Sequence, residues 1–563
     1  MLTHGVKRSG EGEKRSRGDL ASRARRFSCD FKSTRLPLSV SPFLPIFIVV
    51  VLVAVVFTAG CGSKPTDPRT VIPADAIVYL ESRDLGRTLS AITENPRFRQ
   101  MAKTTPDLSA LNGIKVSIAV TGFAASEEPS DEGAVLNFQP RFVAVAETNA
   151  WGWQVRTFVE DKLGEVVNAA YVGDVELEIS TRNDGSEYYV WSSQEGRKAY
   201  ALQQGSLVFF GNDESAIERC QAVKRGESDS IAGSPKLADG DRLAFAYVSP
   251  EGVGQLANLA SLQLAKSSGE EADVQSFVAR VLPEILRNTI KDMTWTAAKS
   301  GDMIEDRFQI SLENESARVF SETIVPGKSE GSLLPKFVAA SAMSTTRYSL
   351  KDPQIAWRSV VLTGQKKTDV GSGALIAAFS GSVFESYGIE DPEIFLSGIG
   401  DQIVTVRLTS DSDDVAVVAQ VKDAATVRRG LAKEIDFASA PTKQFDAEIW
   451  RSEDGELAAA IRGDIIVVGN TETVLKCLES GQVNVTGNSQ PLPPPTAIST
   501  TTGQDDLSGK LVEAFSERRD EKVVTTNYST ETRVNVNGIE RITNSDFGMI
   551  GAIIERIVGD DSP

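Results

Sequence analysis

A segment in the first half of the chain recurs in the second half, and this repeat constrains the fold more than any other feature. Trp191 begins a pattern of tryptophan, glycine turn, apolar run, Gly-Asn pair and glutamate. Trp450 begins the same pattern, and the matching residues keep a nearly constant offset. The aligned residues are Gly205 with Gly463, Gly211-Asn212 with Gly469-Asn470, and Glu214 with Glu472. Such self-similarity predicts one structural unit that occurs twice.

Neighbouring segments extend the alignment. Segments 115–120, 141–146 and 300–307 have counterparts at 402–406, 415–419 and 537–541. We therefore predict two repeat units, residues 70–325 and 330–557, with a linker at 62–73 before the first. A proline-rich connection at 490–495 shortens the second unit.

Within each unit the hydrophobic period changes between two and 3.6, which indicates strands and helices. The runs 206–210 and 465–468 are short, apolar and rich in β-branched or aromatic residues, as in buried strands. Glycine-containing turns at 183–185, 195–196 and 454–455 favour hairpins. The prediction is an α+β fold of two duplicated units, each a mainly antiparallel sheet with helices packed on one face.

The Gly-Asn pairs break these strands before a predicted helix. Asn212 and Asn470 stand where an N-cap belongs, and Glu214 and Glu472 fall in the first helical turn. Capture of an anion by free backbone N–H groups would need the same residues. The structural interpretation is favoured, because it explains them without a ligand.

Two further pairs of residues have open interpretations. Trp151 and Trp153 flank one glycine at a predicted helix start, where packing is favoured over a binding face. Cys220 and Cys477 fall on predicted amphipathic helices. Buried free thiols are favoured for them, with a disulfide as the alternative.

An apolar segment follows a basic leader near the start of the chain. Residues 1–35 contain ten Lys and Arg against four acidic residues, and 36–61 contain the apolar run 43–59. By the positive-inside rule, 1–35 is predicted to be a disordered cytoplasmic leader and the chain after Cys61 to be exported.

The apolar segment 36–61 has two main interpretations. Its end at Cys61 resembles a bacterial lipoprotein signal, in which the cysteine becomes lipidated and N-terminal, although Thr58 stands where Leu, Val or Ile is usual. It is also just long enough to be an uncleaved transmembrane signal anchor. Release of the chain is a third possibility. The lipoprotein interpretation, with Cys61 as the lipidation site, is favoured.

Histidine is almost absent, and this limits the chemistry. His4, in the leader, is the only one, so a Ser-His-Asp triad, a Cys-His dyad and a His-ligated zinc are excluded after Cys61. The nucleotide-binding motifs G-x-G-x-x-G and G-x-x-x-x-G-K-[ST] are missing too. No catalytic residue, cofactor or metal site is therefore predicted, and carboxylate chemistry remains the enzymatic alternative.

The chain is acidic, with 77 Asp and Glu against 59 Lys and Arg and a net charge of −18. This charge opposes binding to nucleic acid or to anionic membranes. The densest acidic cluster, 411–414, lacks the glycine and distal glutamate of an EF-hand loop. A solvated turn between strands is therefore favoured over a calcium site.

The segment 71–81 is a Pro-Ala-Asp turn that leads into a strand. Together with the anchored leader and the Gly-Asn turns, it resembles a family of exported bacterial proteins and lipoproteins of unknown function whose mature part begins in this way. The resemblance covers 71–223 best, because Leu334-Pro335-Lys336 replaces the motif in the second unit without its Asp. It implies an envelope location and an α+β repeat, and no site residues.

These observations predict an uncharacterised, membrane-anchored extracytoplasmic protein that binds or supports an envelope component without catalysis. Its partner would be an unknown envelope protein or glycan, besides the membrane itself, and no nucleic acid. The alternative is a carboxylate-dependent hydrolase of an envelope polysaccharide, which needs two convergent carboxylates in one pocket.

Overall fold

The computed structural model describes residues 66–130, 133–171, 175–237, 240–267, 272–328, 333–410, 413–482, 496–507, 509–519 and 524–559. The predicted leader, the segment 36–61 with Cys61, and the connection 490–495 lie outside the described residues. Among the described helices, none is long and apolar enough to cross a membrane.

The described residues form twenty strands in one antiparallel sheet. The strands are β1 (Val78–Ser82), β2 (Lys115–Ser130), β3 (Gly133–Glu147), β4 (Val175–Thr181), β5 (Glu187–Ser193), β6 (Lys198–Gln204), β7 (Leu207–Gly211), β8 (Ala244–Val248), β9 (Ile290–Ser300), β10 (Met303–Leu312), β11 (Ser344–Ser349), β12 (Ile399–Arg407), β13 (Val415–Val421), β14 (Thr442–Gln444), β15 (Ala447–Arg451), β16 (Leu457–Arg462), β17 (Ile465–Asn470), β18 (Ser499–Leu507), β19 (Val524–Asn535) and β20 (Gly538–Ser545).

Helices connect and cover these strands. The α-helices are α1 (Leu85–Thr93), α2 (Pro96–Met101), α3 (Gly152–Thr157), α4 (Gly164–Tyr171), α5 (Glu214–Lys224), α6 (Pro250–Ser267), α7 (Ala272–Thr289), α8 (Asn314–Thr323), α9 (Pro353–Lys366), α10 (Val370–Phe379), α11 (Pro392–Ser397), α12 (Ala424–Gly430), α13 (Thr471–Gln482), α14 (Gly509–Glu513) and α15 (Gly548–Gly559). A π-helical segment, Phe158–Leu163, joins α3 to α4. Short 3-10 helices lie at Pro68–Val71, Ser109–Leu111, Ile231–Gly233, Leu334–Phe337 and Ser382–Tyr387. The prediction of an α+β fold with a mainly antiparallel sheet is confirmed.

The strand order is the same in the two halves of the sheet. From one edge to the centre the order is β4-β5-β6-β7-β3-β2-β1-β8-β9-β10. From the other edge it is β14-β15-β16-β17-β13-β12-β11-β18-β19-β20. The pair β10–β20 joins the halves into one sheet.

The predicted hairpins are confirmed. The strand pairs β4–β5, β5–β6 and β15–β16 are antiparallel and joined by tight turns. Gly185, Gly196 and Gly455 have φ of 79°, 81° and 76° in these turns. Glycine suits these positions because side chains disfavour positive φ.

Gly211 and Gly469 occupy equivalent places at the ends of β7 and β17. A Cβ atom on Gly211 would lie 2.3 Å from the carbonyl oxygen of Phe142, and one on Gly469 would lie 2.2 Å from that of Val415. Phe142 lies on β3, which pairs with β7, and Val415 lies on β13, which pairs with β17. The paired backbones therefore approach too closely for any residue other than glycine.

The N-cap prediction is correct at one of the two Gly-Asn pairs. Asn470 accepts from the backbone N–H of Glu472 at 3.0 Å, as an N-cap does. Asn212 instead bonds across to the strand β3, accepting from Phe142 N and donating to Pro140 O. Asp213 caps α5 by accepting from Ser215 N at 2.8 Å. One extra residue between strand and helix frees Asn212 for this role.

Helices pack on both faces of the sheet, so the prediction that they pack on one face is wrong. The helix α5 packs with Val143 and Phe209 in one core cluster. The helices α3 and α4 pack with Val208 and Phe210 in another. Because successive strand residues point to opposite faces, β7 is buried on both sides. A strand sequence in which apolar residues do not alternate with polar ones therefore indicates a sheet that is covered on both faces.

The two halves share parts of their cores by exchanging helices. The helix α15, which follows β20, packs against α1 and β9 of the first half in one cluster. The helix α8, which follows β10, packs on β19 and β20 of the second half. The central part of the molecule therefore depends on residues that lie more than half of the chain apart.

Cys220 and Cys477 are buried free thiols, which confirms the favoured prediction. They lie on the equivalent helices α5 and α13. Burial raises the pKa of each thiol to about 12, so both remain protonated and unreactive at neutral pH.

Candidate functional site

An apolar cleft opens between the sheet and the helices α1 and α15. Its cavity volume is about 60 Å³, within about 630 Å³ of empty space that includes the open mouth. The strands β1, β2, β8 and β9 form its floor, and α1, α15 and Phe515, which follows α14, form its walls. The apolar lining residues include Leu80, Val116, Trp295, Phe515, Ile550 and Ile553.

The few polar side chains at this cleft bond to their own surroundings. The hydroxyl groups of Ser82 and Thr88 lie 2.9 Å apart, and Thr88 also donates to the carbonyl oxygen of Leu243. Glu81 contributes to the lining, but its carboxylate bonds with Tyr79 and Arg69 on the other face of β1 from Leu80. The cleft therefore offers an apolar surface without free hydrogen-bonding groups on these side chains.

A buried ion cluster lies behind the cleft floor. Two nitrogen atoms of Arg69 donate to the two carboxylate oxygens of Glu81 at 2.6 Å each. Arg242 donates to the same carboxylate at 2.7 Å and Tyr79 at 2.8 Å. Tyr79 also bonds to Ser117 at 2.9 Å. Glu81 is only 4 % exposed, so these partners replace its hydration.

The ion cluster keeps Glu81 ionised. Burial by itself would raise the pKa of this carboxyl, but the hydrogen bonds and charge of Arg69, with Tyr79 and Arg242, outweigh it and lower the pKa. An ionised carboxylate with all its partners in place is poorly suited to act as a general acid. Its evident role is to fasten the Pro68–Val71 helix and the chain before β8 to β1.

Asp306, on β10, holds the exchanged helix α15 in place. Its two oxygen atoms accept from the indole N–H of Trp295 at 2.8 Å and from the backbone N–H of Met549 at 2.7 Å. Burial raises the pKa of Asp306 to about 6, although both hydrogen bonds act in the opposite direction. Since Trp295 and α15 both line the cleft, Asp306 positions its wall.

We expect Asp306 to make the protein less stable as the pH rises. The pKa of Asp306 is higher in the folded state than in the unfolded state, so the folded protein holds this proton more tightly. The resulting contribution to the free energy of unfolding is present at about pH 4 and is lost by about pH 7, a change of roughly 2–3 kcal/mol. Asp306→Asn should remove this part of the pH dependence, which urea unfolding at the two pH values measures. An unchanged pH slope in the variant would contradict the assignment.

A second cleft lies between α8 and α9 and is lined by residues of these two helices and Lys367. Its cavity volume is about 300 Å³, within about 700 Å³ of empty space that includes the open mouth. Glu315 forms ion pairs with Lys366 and Lys367 along it, beside the half-exposed Ile355 and Leu362. Both clefts thus have a mainly apolar lining, and the second is also flanked by ion pairs.

The residues singled out in the sequence do not converge on one site. Cys61 lies outside the described residues, and Cys220 and Cys477 are in separate core clusters. Asp414 accepts from Thr409 within its turn, while residues 411–412 are outside the described part. Across the described ranges, no group of three or more His, Cys, Asp or Glu side chains could hold a metal ion.

One short motif at 327–331 has the spacing G-x-S-x-G of a hydrolase nucleophile elbow. An elbow presents its serine between a strand and a helix and needs a histidine base. The chain's one histidine is His4, and Gly327 instead packs against the backbone of Leu350. Ser329 lies outside the described residues.

Trp151 and Trp153 were expected to pack in the core, and this prediction is wrong. Their exposed fractions are 47 % and 70 %. Sequence reasoning missed both clefts as well, because their walls come from segments far apart in the chain.

No family model, curated protein or solved structure matches this chain.

Proposed function

We propose that this chain is a non-catalytic binding protein, held at the extracytoplasmic face of a bacterial membrane by segment 36–61. Its cleft between the sheet and α15 binds an apolar group of an envelope partner. The lipidated form at Cys61 and the signal-anchor form both give this location. The family resemblance at 71–81 agrees with it.

The apolar cleft is the observation that carries the proposal. Ligand sites are typically concave and mostly apolar, with a few polar groups that orient the ligand. Here the hydroxyl groups of Ser82 and Thr88 bond to each other, so these side chains offer few hydrogen bonds to a polar ligand. Burial of an aliphatic chain against Leu80, Ile550 and Ile553 contributes about 25 cal/mol for each Å² removed from water.

We further propose that the two halves, 70–325 and 330–557, arose by duplication. Trp191 and Trp450 lie on the corresponding strands β5 and β15, and the strand orders agree. The pairing of β10 with β20 supports this too. Ile304 on β10 aligns with Ile539 on β20, and they pair with Ser545 and Ile310, respectively. Ile310 follows Ile304 at the same interval at which Ser545 follows Ile539, so the pairing is symmetric, as in a dimer interface.

The carboxylate-dependent hydrolase has less support. Such an enzyme needs two carboxyl groups that face one substrate, one of them with a raised pKa. Asp306 and Glu385 both have a raised pKa, but both oxygens of Asp306 are bonded to Trp295 and Met549, and burial is the main cause at Glu385. Glu81 is ionised and faces two arginines.

Binding of a fluorescent fatty acid, cis-parinaric acid, to the full-length protein tests the cleft. We expect saturable fluorescence enhancement in the wild type, and affinity about tenfold or more weaker in Ile553→Asp, because the variant buries a charge in the cleft. The matched control is Ala552→Asp on the exposed side of α15, which should bind like the wild type.

Ile553→Val should retain binding, because the side chain at position 553 stays apolar. Thermal unfolding of each variant separates loss of the cleft from loss of the fold. The absence of saturable binding in the wild type, or equal binding by Ile553→Asp, would contradict the proposal.

A further inference from the structure

The segment 148–153, a loop that leads into the first two residues of α3 and is here named the tryptophan loop, presents two large apolar rings to solvent. Trp153 is 70 % exposed and Trp151 is 47 % exposed, although both rings would gain by burial. Other tryptophans of the chain are in the core: Trp191, Trp295 and Trp450 are at most 5 % exposed. Adjacent exposed rings mark a surface for a partner.

The tryptophan loop is rigidly held. Asn149 has a φ of 54° and donates its side-chain N–H to the carbonyl oxygen of Gly113 at 3.0 Å. Thr148 donates to Ser206 O, and Gln203 donates to Gly152 O at 2.6 Å. A residue other than glycine at positive φ costs energy, so the surrounding bonds determine this conformation. The rings are therefore displayed by a pre-organised loop.

The same corner receives the chain from the predicted membrane anchor. The backbone N–H of Thr66, the first described residue, donates to Glu147 Oε2 at 2.9 Å. The backbone N–H of Asn149 donates to Oε1 of the same carboxylate at 3.1 Å. One buried side chain thus ties the start of the fold to the tryptophan loop.

The connection from the anchor to this corner is short. Four residues lie between Cys61 and Thr66, so five Cα–Cα steps join them and span at most about 17 Å when fully extended. From position 59, where the apolar run ends, the span is at most about 25 Å. The corner that carries Trp151 and Trp153 is therefore confined close to any bilayer that holds segment 36–61.

We propose that the tryptophan loop is a membrane-contacting surface, and that the rings of Trp151 and Trp153 insert into the interfacial layer of a zwitterionic phospholipid bilayer. Tryptophan favours this layer because its ring is amphipathic. The inference rests on the proposed anchoring by segment 36–61. It adds which surface of the folded protein faces the membrane.

The charges beside the loop fit a zwitterionic surface. Arg156, on α3, pairs with Glu160 at 2.7 Å and with Glu187 at 2.8 Å. Attraction to anionic lipid needs clustered, unpaired basic groups, and the acidic chain opposes it. The contact should therefore depend on the rings and change little with salt.

Quenching by brominated lipid tests the contact. The full-length protein is reconstituted into phosphatidylcholine vesicles with or without bromine on the acyl chains, and tryptophan fluorescence is compared. We expect quenching in the wild type and its loss in Trp151→Ser/Trp153→Ser. The matched control, Trp357→Phe in the second half, removes a tryptophan whose ring meets that of Phe384 edge to face and should retain the quenching.

Vesicle flotation separates this inference from the anchoring on which it rests. Protein that fails to float contradicts the anchoring. Protein that floats but shows equal fluorescence in both lipids overturns the membrane contact. Quenching that appears only with added phosphatidylglycerol, or a dimer in detergent that protects the rings from acrylamide, would also overturn it, because the rings would then meet another partner.

Discussion

Replacing Arg69 with methionine should lower the free energy of unfolding by about 3 kcal/mol or more, because Glu81 would lose its bidentate partner inside the protein. Glu81 is 4 % exposed and would keep only Arg242 and Tyr79. Urea unfolding at neutral pH measures the loss. The expected cause is the uncompensated charge rather than lost packing.

The triple variant Arg69→Met/Glu81→Leu/Arg242→Met is the control for this explanation. It removes all three charges of the ion cluster, so it should recover much of the stability. The acid sensitivity should change as well. The folded-state pKa of Glu81 is lowered, so its contribution is present at neutral pH and is lost as the pH falls through that pKa. A triple variant as unstable as Arg69→Met would show that packing, not charge, is decisive.

Substitution of alanine at Gly211 or Gly469 should destabilise the protein by about 2–3 kcal/mol each, since the new Cβ overlaps a strand carbonyl. The contacts would be 2.3 Å and 2.2 Å, and Gly469 also has a φ of 148°. The carbonyls cannot move freely, because they belong to backbone that pairs with its neighbours in the sheet.

Gly233→Ala is the matched control for these glycines. A Cβ at Gly233 meets nothing within 4 Å, and its φ is not positive, so its stability should stay near the wild type. Chemical unfolding of the three variants gives the comparison. Similar values at Gly211 and Gly233 would contradict the steric explanation.

The local features of the fold could be predicted from the sequence. Gly185, Gly196 and Gly455 identified hairpins because their turns require a positive φ. The residues Trp191 and Trp450 pointed to corresponding strands, since the repeat preserves spacing along the chain. These signals depend on neighbours in sequence, where spacing and conformation are directly linked.

The candidate sites could not be predicted in this way. The cleft joins Leu80 on β1 with Trp295 on β9 and Ile553 on α15, and no periodicity connects them. The ion cluster likewise brings Arg69 and Arg242 to Glu81 from different segments. From the sequence alone, charged residues are predicted to be exposed to solvent. The burial of Arg69, Glu81 and Arg242 depends on tertiary packing.

The exposure of Trp151 and Trp153 was missed for a different reason. A large aromatic residue at a helix start is usually buried, and composition does not distinguish a ring that faces the core from one that faces a membrane. The nearby anchor in the sequence was the available signal, but its proximity depends on the bond from Thr66 to Glu147.

The exchange of α8 and α15 across the β10–β20 junction has a consequence for evolution of the two clefts. In a symmetric homodimer, any substitution changes both sites together. In one continuous chain, each half accumulates its own substitutions: Ile553 lines one cleft, whereas Lys366 at the other pairs with Glu315. The two halves of one polypeptide can therefore diverge at their clefts while they keep the same strand order.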